Sequence, residues 1–164
     1  MENLSNFGMH YGRPKGRGIR LHLGCGDYWR DGSLNIDHAI LGGTDLVWDL
    51  RTKLPFQDSV VEAIESYEFV EHFTKAEIDT MLEDWKRMLI DGGGILVVVP
   101  DIDELMKQGL VQQIYGIEQD HKWGYTETTL RELFESHGFK NIEIKKMEFD
   151  HRVGEPKLHL ICNK

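Results

Sequence analysis

The feature that most constrains the fold is the apolar run from Ile95 to Val99, which follows three glycines and precedes Pro100. A strand that is apolar at every position has to be buried on both faces, and such strands are typical of parallel sheets covered by helices. Proline has no backbone N–H to donate to a neighbouring strand, so Pro100 ends the run. The run therefore predicts a central strand of an α/β sheet.

The remaining chain alternates between short apolar segments and amphipathic segments with helical periodicity. Further strands are predicted at residues 19–23, 34–36, 46–48, 60–67, 142–147 and 157–162. Between Ala76 and Ile90 the apolar residues recur at spacings of three and four, which places them on one face of a helix. Thr74 and Glu77 predict a capping box at its start, and the glycines after Asp91 predict its end.

A second amphipathic helix is predicted after Thr126, with Gly138 as its C-terminal glycine. Strands that alternate with helices predict a Rossmann-like three-layer α/β/α sandwich whose seven-stranded sheet is mostly parallel. Only a short polar turn separates the last two strands, which predicts an antiparallel C-terminal edge strand. With 164 residues the chain is expected to form a single domain, 19–164, after a flexible N-terminal arm, 1–18.

Glycine and polar residues follow five of the predicted strands. They are Gly24-Cys25-Gly26-Asp27, Asp37-His38, Asp49-Leu50, Ser66-Tyr67-Glu68 and Pro100-Asp101. Ligands of open α/β sheets bind at the carboxyl ends of the strands, where these residues are expected to meet. A glycine allows close approach of the backbone, and an aspartate can bind a ribose diol or simply cap the next segment. The sequence therefore predicts a ligand site at this edge of the sheet.

The connection after the first strand is unusually short. Asp37 follows Gly26 by 11 positions, whereas dinucleotide-binding folds place about 20 residues between the glycines and the acid. A full crossover helix does not fit, so the helix after strand 1 is shortened or absent. Three arrangements remain open: a single turn at residues 27–31, a loop that packs Tyr28 and Trp29 over the strand edge, or a degenerate site. Because Trp29 replaces the third glycine of G-x-G-x-x-G, a pyrophosphate ligand such as NAD is disfavoured.

Several segments together resemble the class I S-adenosylmethionine-dependent methyltransferases, in particular small ones with a glycine-cysteine-glycine loop. The segments are LHLGCGD, NID, WDLRTKLPFQDSVVEAIESYEFVEHF, RMLIDGGGILVVVPD and GFKNIEI, and they span roughly residues 19 to 147. The resemblance implies an enzyme that transfers a methyl group from S-adenosylmethionine (SAM) and releases S-adenosylhomocysteine. The expected acceptor is an oxygen or nitrogen atom of a small-molecule or sugar-type compound, which nothing in the sequence identifies.

The resemblance also implies which residues bind the cofactor at the first two strand ends. Gly24, Cys25 and Gly26 would run their backbone past its methionine moiety. Asp37 would accept hydrogen bonds from the ribose hydroxyls, and His38 would lie beside the adenine.

At the next two strand ends the resemblance implies contacts to both ends of the cofactor. Asp49 would accept a hydrogen bond from the adenine amino group, and Leu50 would contact the ring. Ser66 and Tyr67 would present backbone oxygen to the ammonium group. Glu68 would face the side from which the methyl group leaves.

Transfer to a hydroxyl or a protonated amine also requires a base. His121 is the first choice, because the segment around it is expected to fold over the strand ends, with Trp123 and Tyr125 lining the acceptor pocket. The further candidates are Glu68, Asp101 and His72. Each has a plainer alternative: a surface loop histidine, a helix cap, a hydrated carboxylate or a structural hydrogen bond.

The composition of the chain limits the classes of partner and the location that are expected. The net charge of −9 disfavours nucleic acid, and the basic residues Arg13, Lys15, Arg17 and Arg20 are interpreted as part of a mobile arm. No apolar segment is long enough to span a membrane and the N-terminus lacks the apolar centre of a signal peptide, so a cytoplasmic location without membrane insertion is expected. A homodimer that completes the acceptor pocket is a further expectation.

Two more classes of site are disfavoured. Cys25 and Cys162 are too few for a disulfide framework and are expected to be buried free thiols. No histidine pair has the spacing of H-E-x-x-H, so no metal site is predicted. Two other functions stay open: a catalytically idle SAM-binding domain that acts through a partner, and another α/β nucleotide-binding enzyme such as a small dehydrogenase.

Overall fold

The computed structural model describes residues 18–110, 112, 120–147 and 155–164. The predicted N-terminal arm lies outside these ranges except for Gly18, and so do Arg13, Lys15 and Arg17 of the basic cluster.

The described residues form one seven-stranded sheet in the order β3-β2-β1-β4-β5-β7-β6. The strands are β1 (Ile19–Leu23), β2 (Leu34–Asp37), β3 (Leu46–Val47), β4 (Val61–Tyr67), β5 (Leu89–Pro100), β6 (Lys140–Met147) and β7 (Lys157–Asn163). β1 to β5 pair in parallel, whereas β7 is antiparallel to both β5 and β6. The predicted mostly parallel sheet with an antiparallel C-terminal edge is confirmed. β3 and β6 are the two edge strands, β7 lies between β5 and β6, and β5 lies one position from the centre.

Three α-helices and one 3-10 helix (Val70–His72) have bounds within the described residues, and the α-helices are α1 (Lys75–Met88), α2 (Ile102–Lys107) and α3 (Glu127–Ser136). Both predicted starts are confirmed, because Thr74 forms a capping box with Glu77 at α1 and Thr126 forms one with Thr129 at α3. Gly138 follows α3 with a φ of 74°, which a residue with a side chain rarely adopts.

The glycines after Asp91 do not end α1, contrary to the prediction. α1 ends at Met88, and β5 begins at the next residue, Leu89. Leu89 pairs with β4, the register then shifts, and pairing resumes at Gly94. β5 has three more residues than β4 in this interval, and Gly92 has a φ of 75° there, so the glycines form an irregular, bulge-like interruption inside a long strand.

The two faces of the sheet differ in chemistry. Alternate strand residues such as Leu21, Ile64 and Val97 join one apolar core with the buried faces of α1 and α3. The opposite alternation carries polar and charged side chains in the same strands, including Arg20, His22, Asn35, Glu65, Tyr67 and His159. The connections 24–33 and 38–45 contain no helix, so neither supplies a helical cover to the sheet. The predicted absence of a helix after strand 1 is confirmed.

None of the helices in the described ranges is long and apolar enough to cross a lipid bilayer.

Candidate functional site

The carboxyl ends of β1 and β4 border a cavity of about 290 Å³. The chain leaves β1 toward β2 and leaves β4 toward β5, on opposite sides, so this is the switch point at which α/β sheets bind ligands. The cavity is lined by His22, Gly24, Cys25, Gly26, Asp27, Tyr28, Arg30, Tyr67, Glu68 and Val98. Five of the predicted cofactor-binding residues therefore meet at one cavity.

The two glycines of the loop after β1 are needed for different reasons. Gly24 has a φ of 67°, and a Cβ there would lie 2.1 Å from the ring of Phe69. Gly26 has a φ of 52°, but a Cβ there would meet no atom within 4 Å. Gly24 thus makes room for packing, whereas Gly26 leaves open space beside the loop for a ligand.

Asp37 ties this loop to the end of β2. Its Oδ2 accepts a hydrogen bond from the backbone N–H of Gly26 at 2.9 Å, and its Oδ1 accepts one from Ala39 at 3.2 Å. The Nδ1 of His38 lies 2.9 Å from Oδ1. The Asp37 residue is 6% exposed. Because each carboxylate oxygen has two acceptor sites, the carboxylate can still bind a hydroxyl.

Asn35 holds the rest of the loop. It was not identified from the sequence as a residue of the site. Its Oδ1 accepts a hydrogen bond from the N–H of Arg30 at 2.7 Å, and its Nδ2 donates to the carbonyl oxygens of Arg30 and Ser33. Nδ2 also donates to Asp45 at 2.9 Å. A buried side-chain amide thus stabilises a connection that has no helix. The only signal in the sequence was an asparagine inside a predicted strand.

His22 lies behind this loop and contacts Asn35, with 3.0 Å between Nδ1 and Oδ1. Burial lowers the pKa of His22, and the Arg30 charge acts in the same direction, against the hydrogen bond to Asn35 and the Glu65 and Asp37 charges. As the pH falls, the His22 imidazole therefore stays neutral to a lower pH than an exposed histidine does.

The connection after β1 is a loop without a helical turn, but it is not the loop that was predicted. Tyr28 and Trp29 are 72% and 61% exposed, so they do not pack over the strand edge. Trp29 does touch the β2–β3 connection, because a Cβ on Gly43 would lie 2.4 Å from its Cβ.

Cys25 and Cys162 are buried thiols that form no disulfide, as predicted. Burial raises the pKa of the Cys25 thiol, whose sulfur lies 3.8 Å from the hydroxyl of Thr44. Burial also raises the pKa of Cys162, to about 12. Neither cysteine has the lowered pKa of a nucleophilic thiol.

Asp49 and Leu50 do not line the β1–β4 cavity. Asp49 is paired with Arg51 through two bonds of 2.9 Å, and these bonds lower the pKa of Asp49. Leu50 is 4% exposed, and its side chain belongs to the core. A contact from Asp49 to an adenine amino group would have to share the carboxylate with Arg51.

The predicted residues at the end of β4 point to both faces of the sheet. The Ser66 hydroxyl faces the core and has no hydrogen-bond partner within the described part of the chain. The Tyr67 hydroxyl donates to Oε2 of Glu65 at 3.0 Å on the polar face. The guanidinium of Arg30 lies 4.5 Å from the centre of the Tyr67 ring, which positions Arg30 at the cavity.

Glu68 follows β4 in a strained conformation with a φ of 49°. Its Oε2 lies 2.5 Å from Nζ of Lys157, which is 1% exposed and also bonded to Glu155 at 2.9 Å. Burial opposes the charge of Lys157, but the Glu68 and Glu155 carboxylates raise its pKa. Lys157 was not identified from the sequence, because it meets Glu68 only through the pairing of β7.

The segment that contains His121 does lie at the strand ends. The backbone N–H groups of Lys122 and Trp123 donate to the carbonyl oxygen of Glu71 at 2.8 and 3.1 Å. The rings of His121 and His72 are 4.9 Å apart between centres. The structure therefore brings two of the predicted bases together beside Glu71.

Glu71 itself is 1% exposed. Burial and the Glu68 charge raise the pKa of Glu71 well above its usual value, although backbone N–H groups and Lys157 favour its ionised form.

Two expectations for the acceptor side are not met by the geometry. Trp123 and Tyr125 line a separate cavity of about 380 Å³ with residues of α1 and α3. The carboxylate of Asp101 caps α2 by accepting hydrogen bonds from Asp103 and Glu104. Asp101 thus has the plainer role that the sequence left open.

No protein-family model matches the sequence, and no curated protein matches it. Solved structures nevertheless match nearly the whole chain. A SAM-dependent methyltransferase from Archaeoglobus fulgidus matches with a TM-score of 0.75, 17% identity, and coverage of 98% of this chain and 92% of its own. The 1,6-didemethyltoxoflavin-N1-methyltransferase of Burkholderia thailandensis, with bound S-adenosylhomocysteine, has a TM-score of 0.72, 16% identity and coverage of 98% and 75%.

A third structure is a methyltransferase in complex with the Trm112 methyltransferase activator of Haloferax volcanii. It has a TM-score of 0.69, 16% identity, and coverage of 97% of this chain and 88% of its own. Likeness at such identities describes the fold. The chain thus has the fold of the class I SAM-dependent methyltransferases.

Proposed function

We propose that this protein binds SAM and transfers its methyl group to an oxygen or nitrogen atom of a small-molecule or sugar-type acceptor. One observation carries the proposal: the Gly24–Gly26 loop and Glu68 line the same cavity, and the carboxylate of Asp37 is bonded to that loop. When bound, the cofactor supplies a reactive methyl sulfonium and leaves as S-adenosylhomocysteine.

The residues of the cavity suit the parts of this cofactor. Gly26 leaves open space beside the loop for the methionine moiety, and Asp37 retains acceptor capacity for the ribose hydroxyls. Arg30 lies at the same cavity and can pair with a carboxylate such as that of the methionine moiety. The site contains no helix N-terminus after β1 to meet a pyrophosphate, which disfavours NAD.

On the acceptor side, Glu68 is the candidate that shares the cavity with the glycine loop. Its carboxylate is held by Lys157, so the two residues position each other. We assign Glu68 the task of accepting the proton that the acceptor loses. Orientation of the acceptor supplies the larger part of catalysis, since oriented encounter is worth up to about 7–11 kcal/mol.

Thermal unfolding with added ligands tests the cofactor assignment. S-adenosylhomocysteine at a hundred times its Kd should stabilise the native state by about 2.7 kcal/mol, because it binds that state alone. For a domain of this size the Tm should rise by roughly 2–4 °C per kcal/mol. NAD at the same concentration should leave the Tm unchanged. A rise with NAD and none with S-adenosylhomocysteine would instead favour the dehydrogenase alternative.

One observation favours a second function, a cofactor-binding domain that acts through a partner. Tyr28, Trp29 and Ile40 are 72%, 61% and 85% exposed near the site, and exposed apolar groups of this size are common at interfaces. The Haloferax methyltransferase forms a complex with an activator. Formation of S-adenosylhomocysteine by the isolated chain with candidate acceptors would support the enzyme. The partner could also be a second copy of the chain, and the molar mass from light scattering after size exclusion distinguishes a monomer from such a homodimer.

A further inference from the structure

Three potential metal-ligating residues come together at the carboxyl end of β4, outside the β1–β4 cavity. They are Glu71 and His72 in a short 3-10 helix (Val70–His72) and His121 in the segment before α3. One ligand atom from each residue lies within 4.8 Å of the other two. Around a tetrahedral Zn²⁺ ion the ligand atoms lie about 3.4 Å apart, so small side-chain rotations suffice to close the group.

Backbone hydrogen bonds hold the two segments against each other. Lys122 and Trp123 donate to the carbonyl oxygen of Glu71, and the Nδ1 of His72 lies 3.4 Å from the carbonyl oxygen of Asp120. Asp120 has a φ of 48°, so the chain turns sharply where it delivers His121. Two of these three contacts join backbone groups alone, so the two segments are held together without the ligand side chains.

Glu71 is the second, independent observation. Its residue is 1% exposed, and neither carboxylate oxygen has a hydrogen-bond partner of good geometry in the described ranges. The backbone N–H groups of Phe69 and Glu71 favour its ionised form but do not meet that geometry. A buried carboxylate without such a partner destabilises a fold unless a cation or a proton compensates it. The nearby cation Lys157 is bonded to Glu68 and Glu155. A cation beside the two imidazoles would compensate Glu71.

We propose that Glu71, His72 and His121 form a binding site for one divalent cation of the Zn²⁺ type, through one carboxylate oxygen and two imidazole nitrogens. Two nitrogen ligands and one oxygen ligand suit Zn²⁺, Co²⁺ or Ni²⁺, whereas Mg²⁺ and Ca²⁺ prefer oxygen ligands alone. Three protein ligands also leave a coordination position for water or an acceptor hydroxyl, whose pKa such a cation lowers. Only this last role rests on the proposed methyltransferase function; binding of the cation does not.

The histidines were identified from the sequence, but the site was not. The expectation of no metal site rested on the spacing of histidines along the chain, and His121 lies far from Glu71 and His72 in sequence. The three residues come together only because the segment 120–123 pairs with the 3-10 helix, and this pairing is a tertiary contact.

Calorimetric titration of the full chain, first freed of metal with a chelator, tests the proposal. Zn²⁺ and Co²⁺ should bind with one site per chain, and Co²⁺ should develop the visible absorption of a nitrogen-coordinated ion. Mg²⁺ should not bind. His72→Ala and His121→Ala should each weaken Zn²⁺ binding by more than the roughly 10–100-fold that loss of an outer-shell partner causes.

Two further variants keep the test sharp. Glu71→Gln preserves the shape of the side chain and should weaken Zn²⁺ binding while the chain stays folded. His137→Ala is the matched control, because His137 also lies beside a carboxylate, that of Asp79 at 3.4 Å, but outside both the cluster and the cofactor site, and it should leave Zn²⁺ binding unchanged. Absence of Zn²⁺ binding would overturn the proposal. So would Zn²⁺ binding by His72→Ala and His121→Ala that is as strong as that of the unchanged protein. S-adenosylhomocysteine binding, measured on the same samples, reports separately on the proposed function.

Discussion

Asp37 and Asn35 lie two positions apart in β2 and divide the preceding loop between them. Asp37 binds the N–H of Gly26 near the start of the loop, and Asn35 binds Arg30 and Ser33 near its end. Two buried side chains thus replace the hydrogen bonds that a crossover helix would make within itself. The loop is ordered by β2, the strand into which it leads.

Replacement of Asp37 by alanine should weaken the binding of S-adenosylhomocysteine by roughly ten- to a hundredfold. The reason is the loss of charge-assisted hydrogen bonds worth about 1.5–3 kcal/mol to the ribose hydroxyls. Isothermal calorimetry measures the change. Asp31→Ala, an exposed aspartate of the same loop, is the control and should bind as the unchanged protein does. Equal affinity of both variants would remove Asp37 from the cofactor site.

Replacement of Asn35 by alanine should lower the free energy of unfolding by about 1–3 kcal/mol, because it leaves buried backbone groups of the loop without partners. Urea denaturation at neutral pH measures the loss. Asn163 makes one side-chain bond of 3.3 Å to Gly92, and Asn163→Ala should change stability by no more than about 0.5 kcal/mol. A similar small change for Asn35→Ala would show that water can replace the amide in the loop.

At the scale of the element, α1 illustrates which helix boundaries can be read from a sequence. Its start was predicted correctly, because a capping box involves residues only three positions apart. Its end was predicted two residues too late, at Ile90 instead of Met88, because glycines end helices but also form bulges. The choice between the two depended on Leu89, which pairs with Val61 of β4.

Loss of the cap of α1 gives a prediction at this scale. Thr74→Ala removes the hydroxyl that accepts from the N–H of Glu77, and should destabilise the protein by about 0.5–2 kcal/mol. Thr80→Ala changes an exposed threonine inside the same helix, and should shift stability by no more than about 0.5 kcal/mol. Chemical denaturation of both variants makes the comparison. Equal values would mean that water caps the helix as well as Thr74 does.

At the scale of the whole molecule, the sheet has one apolar face and one face rich in polar side chains. Arg20 and Glu65 form an ion pair of 3.2 Å on the polar face, beside the buried imidazole of His22. The stability of a sheet face of this kind depends on paired charges and uncharged polar groups rather than on apolar packing. Its contribution to stability should therefore depend on pH.

The pKa of His22 is lowered in the native state, so the unfolded chain binds a proton that the native chain does not. Above about pH 6.5, the pKa of an exposed histidine, both states are neutral at this position and His22 has no effect. As the pH falls below that value, the free energy of unfolding should decrease, by at most about 1.4 kcal/mol per pH unit, until the pH reaches the native pKa. Denaturation curves between pH 8 and pH 5 should show a smaller decrease for His22→Gln than for the unchanged protein. Parallel pH profiles would mean that native His22 takes up the proton.

The sequence by itself determined the strands, the two long helices and the positions of the glycine loop and the strand-end aspartates. These features depend on periodicity, capping and glycine conformations, which act over a few residues. They were enough for the fold class and for a ligand site at one edge of the sheet.

Only the tertiary structure decided how the site is completed. Lys157 reaches Glu68 across the pairing of β7 with β5, and His121 reaches Glu71 through the docking of a distant segment. The tertiary structure also distinguished two candidate bases, because Asp101 caps α2 whereas Glu68 lines the cavity. These contacts join residues far apart in the chain, and their formation depends on the packing of the whole sheet, which no local pattern in the sequence encodes.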